Sequence, residues 1–360
     1  MLDELFHELD GHLCRAVNRF TRWGLSTNVA VRVLRQVSAG EASFFDAWVQ
    51  EGRRWEELAA ERADSGHTTS ARAYWRQGFF SYRAADFAVT ANTPEKLAAY
   101  EGTLRCFGEA AGDQVDTIEV QAGGDRLVGY IAGRSAPEGS PGVVFVYGAD
   151  GNKEEHLWAS VAALVARGCR VLVVDGPGQG QAVRKDGIPA RPDYEVVASA
   201  CLDTFLERAP VDPDRIGIAG SSLGGYYAPR AFALEPRFRA CAVNSGLFAV
   251  GEGVWDFYPP VRPQLQYNLL ASSEEQARST YEDFTLEPLR DRTRTDDRPL
   301  LVFHGDADIY IPPQQAHQLA DAFGASARAE VWPGVTHNMA NASEEAVPKL
   351  WDWLIDQLEA

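Results

Sequence analysis

From Gly142 onward, short apolar runs alternate with longer stretches of helical period, and that alternation leaves few folds open. VVFV (143–146), VLVV (171–174), IGIAG (216–220), ACAV (240–243) and LLVF (300–303) read as strands buried on both faces. We place strands near 142–147, 170–174, 215–219, 239–244, 299–303 and 328–332, and helices near 154–167, 194–208, 223–234, 313–323 and 344–358. Strands separated by helices pair in parallel through crossovers. The expectation is therefore an α/β fold, a mostly parallel sheet with helices on both faces. Ahead of it, 115–121 and 126–132 read as a hairpin closed by Gly123 and Gly124. Residues 247–296 break the rhythm. They carry Trp255, Phe257, Tyr258, Pro259 and Pro260 and are too long for an ordinary connection, so we read them as a lid.

Residues 1–113 contain no strand series. Phe44, Trp48, Trp55 and Leu58 recur at helical spacing, as do Tyr74, Trp75, Gly78, Phe79, Tyr82 and Ala85. Thr93-Pro94 is an N-cap followed by proline at the first helical position, with Leu97, Tyr100, Leu104 and Phe107 on one face behind it. The chain of 360 residues then divides into a helical cap domain (1–113) and a catalytic domain (114–360). Most of the cap's aromatics are expected to pack between helices. Helix 70–88 is expected also to roof a substrate pocket with Trp75, Phe79 and Tyr82.

Charge and composition narrow the partners. Lys and Arg number 34 against 51 Asp and Glu, a formal net charge of -17, which is the wrong sign for nucleic-acid binding. A neutral or cationic small molecule fits better. The N-terminal MLDELFHELDGH is acidic and amphipathic, unlike a secretory signal. No apolar run is long enough to span a bilayer. The five cysteines stand singly, without metal-ligand spacing, and read as buried free thiols of a reducing compartment. We expect a cytoplasmic protein with no metal. VVDGPGQGQ (173–181) follows a strand, but Gly176, Gly178 and Gly180 alternate and no helix opens at once, so a dinucleotide fingerprint is rejected and no cofactor is expected.

The chemistry-bearing motif is Gly220-Ser221-Ser222-Leu223-Gly224, a G-x-S-x-G at the carboxyl end of strand 215–219 and the start of a helix. So tight a turn strains its central residue, leaves no room for side chains at 220 and 224, and thrusts the Ser222 hydroxyl into the open. A serine needs a base. Of the seven histidines only His304, His317 and His337 follow Ser222, and His337 alone sits in a loop after a strand and before the last helix. LVFHGDADIYIPP offers two acids, Asp306 and Asp308. The acid would orient the imidazole and stabilise its protonated form. Oxyanion donors are expected from the backbone N–H groups of Leu223 and, in the loop after strand 142–147, Ala149.

YGADGNKEE, VLVVDGPGQGQ, DRIGIAGSSLGGYYAPRAFA, LVFHGDADIYIPP and PGVTHNM together resemble the α/β-hydrolases. Their usual HGxxD followed by proline selects Asp308, with Asp306 as the alternative that bonds its own turn. The N-terminal ARAYWRQGFFSYRAADFAV adds a narrower resemblance, to the group holding 2,6-dihydroxypseudooxynicotine hydrolase and the fungal polyketide-shortening hydrolases. That resemblance implies a cofactor-independent serine hydrolase with a helical cap, often dimeric, cleaving a C–C bond beside a ketone, or an ester, in a small aromatic or polyketide-like molecule. A general carboxylesterase or thioesterase is the first rival. A protein of this fold that binds, cyclises or eliminates without an acyl-enzyme is the second. Candidate pocket residues are Tyr147, Tyr226, Trp255 and Tyr258, with Trp75, Phe79 and Tyr82 from the cap. The nicotine-type relatives use a further lid-side glutamate. Here VWDFYPP carries Asp256 and Tyr258 instead, and Glu252 stands among glycines.

Overall fold

The computed structural model describes residues 11–360, so nearly all of the acidic N-terminal stretch read above lies outside the described residues. Two compact units meet in the chain at Gln114 and Val115.

The first unit is helical: α1 (Gly11–Trp23), α2 (Thr27–Ser38), α3 (Phe44–Asp64), α4 (Thr68–Phe87) and α5 (Pro94–Ala111). Its helix starts follow local chemistry. The Ser43 hydroxyl accepts from the Asp46 N–H at 3.1 Å, and Thr93 accepts from the Lys96 N–H at 3.2 Å, with Pro94 at the first position. Tyr82 of α4 holds three helices together. Its ring lies where a Cβ on Gly52 of α3 would approach to 2.9 Å and one on Gly102 of α5 to 2.8 Å. Its hydroxyl bonds the Glu56 carboxylate. Phe79 packs on Phe80 and Phe107, with ring centroids 5.0 and 6.1 Å away. Phe79 is thus a core residue of the helical unit, which corrects its assignment to a pocket wall; Tyr82, though almost wholly buried, lines a cavity of this unit with Phe45, Val49 and Ala99, and Trp75 is half-buried.

The second unit is one eight-stranded sheet: β1 (Val115–Ala122), β2 (Asp125–Ala132), β3 (Ser140–Val146), β4 (Arg170–Val174), β5 (Val211–Ser221), β6 (Ala240–Asn244), β7 (Leu300–Gly305) and β8 (Ala327–Trp332). The order is β1-β2-β4-β3-β5-β6-β7-β8. The β1–β2 hairpin turns through Gly123 and Gly124 at φ 59° and 94°, as a tight two-residue loop requires, and pairs antiparallel with β4. All remaining pairs are parallel. Helices α6 (Ser160–Val165), α7 (Glu195–Arg208), α8 (Gly224–Leu234), α9 (Arg262–Asn268), α10 (Glu274–Tyr281), α11 (Gln314–Phe323) and α12 (Ser343–Glu359) complete the unit and cover both faces of the sheet. The expected helix 154–167 is broken. A single turn at Lys153–His156 precedes α6, because Lys153 and Glu154 turn inward into a buried charge cluster.

The segment 247–296, expected to form a lid, is largely helical and packed. Its ends close on each other through Val250 N–H to Phe284 O (2.9 Å) and Leu286 N–H to Phe248 O (3.0 Å). Trp255 is buried against Tyr281 with centroids 6.1 Å apart, and the Arg262 guanidinium lies over it. Trp255 therefore belongs to the core of this segment, and it also lines a cavity with Asp256, Arg262 and Arg278. Among the described residues, no helix is long and apolar enough to cross a membrane.

Two glycines of α5 separate packing from helix propensity. Gly102→Ala should lose about 1–2 kcal/mol of stability, because the clash with Tyr82 outweighs the helix-propensity gain of ~1 kcal/mol. Gly108→Ala, with nothing within 4 Å of the added carbon, should gain up to ~1 kcal/mol. Chemical denaturation of both variants checks the pair, and equal effects would refute the packing role of Tyr82.

Candidate active site

β5 and α8 are joined by a turn that only this sequence of small residues permits. A Cβ on Gly220 would stand 2.1 Å from the Gly224 carbonyl oxygen, and one on Gly224 would stand 2.1 Å from the Val146 carbonyl oxygen. Ser222 between them is held at φ 56°, a left-handed conformation that costs a serine of order 1–3 kcal/mol. The turn is pinned by Ser222 N–H to Asn244 O (3.0 Å) and Gly225 N–H to Ser222 O (2.7 Å).

Three side chains from distant parts of the chain meet there. His337 Nε2 lies 3.0 Å from Ser222 Oγ, and His337 Nδ1 lies 2.6 Å from Asp308 Oδ2. The other Asp308 oxygen accepts from the N–H groups of Tyr310 (2.8 Å) and Ile311 (3.0 Å). Asp308 is buried, which by itself would raise its pKa. The adjoining His337, the nearby His304 and the backbone N–H outweigh that burial and hold the carboxyl below its usual range. With one ring nitrogen on Asp308 and the other facing Ser222, the imidazole has one orientation and one tautomer suited to accept the serine proton. Asp306 points elsewhere. It accepts from Gly334 N–H at 2.6 Å, so it braces the loop leading to His337 and not its own turn.

The loop after β3 lies against the serine. A Cβ on Gly148 would come within 2.9 Å of Ser222 Cβ and 3.3 Å of Oγ. Among the described residues, no group accepts from the N–H of Leu223 or of Ala149, the two expected oxyanion donors. Behind this loop sits a buried charge cluster. Asp175, at the end of β4, receives the Lys153 ammonium (2.9 Å), the Lys153 N–H (2.8 Å), the Tyr147 hydroxyl (2.5 Å) and the Gln181 N–H (2.6 Å). Tyr147 also stacks on His156, so both its ring and its hydroxyl are spent inside the protein, which corrects its reading as a pocket residue. Tyr226 is corrected likewise: it is fully buried beside Tyr227 and Phe284 and donates to Pro192 O at 3.1 Å.

Tyr258 keeps a place near the site. It packs at a tilt against Tyr310 and Tyr310 against His337, each with ring centroids 4.8 Å apart and ring planes 60° and 50° from parallel. Several supporting residues escaped sequence reasoning. Asn338 and Met339 both stand at positive φ (56° and 57°) directly after His337. The Asn338 N–H donates to Ser245 Oγ at 2.8 Å, and Asn244 Nδ2 donates to Asn338 O at 3.3 Å. The end of β6 thus fastens the histidine loop to the strand that also holds the Ser222 N–H. The asparagine after the histidine was the available signal, since asparagine tolerates the left-handed region. Among the described residues, no cluster of three or more His, Cys, Asp or Glu is placed to hold a metal.

Comparison with known proteins agrees with this architecture. A family model described as the prolyl oligopeptidase family matches residues 156–360. Hydrolase acrC of Aspergillus aculeatus is 32% identical over 244 residues, covering 61% of this chain and 56% of the relative. Alpha/beta hydrolase gkaG of Penicillium citrinum is 34% identical over 224 residues, covering 58% and 52%. The chain thus spans about half the length of these curated relatives. Among solved structures, 2,6-dihydroxy-pseudo-oxynicotine hydrolase superposes with a TM-score of 0.84 over 95% of both chains at 24% identity, which shows a shared fold.

The depressed Asp308 pKa has a consequence for stability. A carboxylate held low stabilises the fold above its unfolded pKa of about 3.9 and loses that contribution as pH falls through its folded value. The stability gap between wild type and Asp308→Asn should therefore be largest near neutrality and shrink below about pH 4. Denaturant titrations at several pH values check this, and a gap of constant size would contradict it.

Proposed function

Because this chain belongs to the prolyl oligopeptidase family, whose model covers more than half of it, we propose that it is a serine hydrolase working through an acyl-enzyme. The carrying observation is the Ser222–His337–Asp308 relay, with contacts of 3.0 and 2.6 Å. Ser222 Oγ attacks a substrate carbonyl while His337 Nε2 takes its proton. Asp308 stays ionised and stabilises the imidazolium. The Leu223 and Ala149 N–H groups hold the developing oxyanion. His337 then returns the proton to the leaving group, and water, activated by the same imidazole, releases the acyl group.

The substrate we propose is a small aromatic or polyketide-like ketone or ester. The tilted aromatic pair Tyr258–Tyr310 beside His337 supports a flat substrate, since aromatic rings gain from offset or edge-on contact. The net charge of -17 supports a neutral or cationic one. For a 1,3-dicarbonyl compound the leaving group is a carbanion stabilised by its second carbonyl, which the imidazolium protonates on carbon. The name of the structural relative, a hydrolase of 2,6-dihydroxy-pseudo-oxynicotine, supports the same class of aromatic ketone. The five buried, unbridged cysteines support a reducing, cytoplasmic setting. We place the cap's contribution and a homodimeric assembly within the same proposal.

Ser222→Ala and His337→Ala should each lower turnover at least ~10³-fold without loss of thermal stability. Steady-state kinetics on an aryl 1,3-diketone and on p-nitrophenyl acetate check both the relay and the bond. Near-normal turnover in either variant would refute the relay. Turnover of the ester with none of the diketone would replace the C–C reading by the esterase one.

A further inference from the structure

The loop Asp175–Gln181 carries the alternating glycines that no nucleotide accounts for, and it supplies a buried amide with an incomplete hydrogen-bond set. Gln179 is 1% exposed. Its Nε2 donates to two successive carbonyls, Tyr147 O at 2.6 Å and Gly148 O at 3.3 Å. Its Oε1 is buried and has no partner among the described residues. A buried amide oxygen left unpaired is costly, and an apolar side chain of similar volume would escape that cost. What the glutamine adds is its NH₂, aimed at the loop that faces Ser222.

The Gly148 carbonyl and the Ala149 N–H belong to one peptide unit. A donor on the carbonyl fixes the plane of that peptide and polarises the opposite N–H, which strengthens it as a donor. The other side of Ala149 is also gripped. Ala149 O accepts from Asn268 Nδ2 at 2.8 Å and from Gln264 Nε2 at 3.3 Å, both from α9 in the lid. Asn268 is fully buried, and its Oδ1 is taken by Gln264 Nε2 at 2.6 Å. Gln179 is itself aimed by the turn wrapped around Asp175. Gly180 stands at φ 43°, and a Cβ there would fall 2.1 Å from Asp175 Cγ, so the turn tolerates only glycine.

We infer that Gln179 and Asn268 are positioning residues forming a two-sided clamp that sets the direction and donor strength of the Ala149 N–H as the second oxyanion donor. The clamp rests on the reading of Ser222 as an acyl-enzyme nucleophile. It assigns a task to the glycine-rich loop after β4, and through Asn268 it ties the lid to the oxyanion site. The clamp acts on charge that develops only after attack, so it alters turnover and not substrate binding.

The test uses the full chain with p-nitrophenyl acetate and an aryl trifluoromethyl ketone, which forms a reversible adduct with a serine oxygen. Gln179→Met keeps the volume and removes both donors. It should lower kcat about 10- to 100-fold, leave KM within about twofold, and weaken the ketone by a matching factor. Asn268→Leu should do the same from the lid side, and it carries the test alone if Gln179→Met does not fold. Unchanged kcat and ketone affinity in a folded variant overturn the clamp while leaving the nucleophile reading intact. If Ser222→Ala, run beside them, kept wild-type turnover, the nucleophile reading and the clamp would fall together.

Discussion

The arrangement depends on a main-chain contact too close for any side chain. Where α8 leaves β5 it passes the end of β3 so tightly that a methyl on Gly224 would overlap the Val146 carbonyl. That approach brings the serine turn against the loop that follows β3. It also forces Ser222 into the left-handed region, which lifts the hydroxyl clear of the sheet. The strain of one serine is small beside the stability of a sheet buried on both faces, and so the fold can hold it. Once the turn is set, the positions of Ser222, the start of α8 and the loop after β3 are no longer independent.

The loop after β3 is stabilised from below by charge. One buried lysine faces two buried carboxyl groups. Burial pushes the Glu154 carboxyl up, whereas Asp175, gathered by Lys153, Tyr147 and two backbone N–H groups, is held below its ordinary value despite burial. Lys153 in turn is kept charged against burial by Asp175 and Glu154. The same lysine thus leaves its two carboxyl partners shifted in opposite directions, Glu154 upward and Asp175 downward. Ion pairs of this kind rarely add net stability over apolar packing, but they are unforgiving of the loss of one member. Such a cluster suits a place where geometry matters more than stability.

Much of this was legible in the residues. The apolar runs and their spacing located the strands of the parallel sheet, and Gly123-Gly124 located the hairpin. The order of Ser222, Asp308 and His337, with glycines flanking the serine, pointed to the three side chains the structure brings together. What failed was the reading of aromatics. Phe79, Tyr147 and Tyr226 are packed inside their own units, whereas Tyr82 and Trp255 combine deep burial with a place on a cavity wall. A large ring on a helix has the same periodicity whether it lines a core or a cavity, and only tertiary contacts decide. Helix 154–167 failed for a related reason, since the pull of Asp175 on Lys153 acts across 22 residues of sequence and leaves no local pattern. Gln179, Asn268 and Ser245 were invisible for the same cause: each acts through a backbone group far along the chain.

In the proposed reaction a serine alcohol, made reactive by an imidazole, carries the acyl group between two half-reactions. Rapid-quench mass spectrometry of the intact protein during turnover of p-nitrophenyl acetate tests it most directly. The account predicts a transient acetyl adduct that peptide mapping places on Ser222 and that decays with the release of acetate. Product formation with no adduct, or with an adduct on another residue, would contradict it.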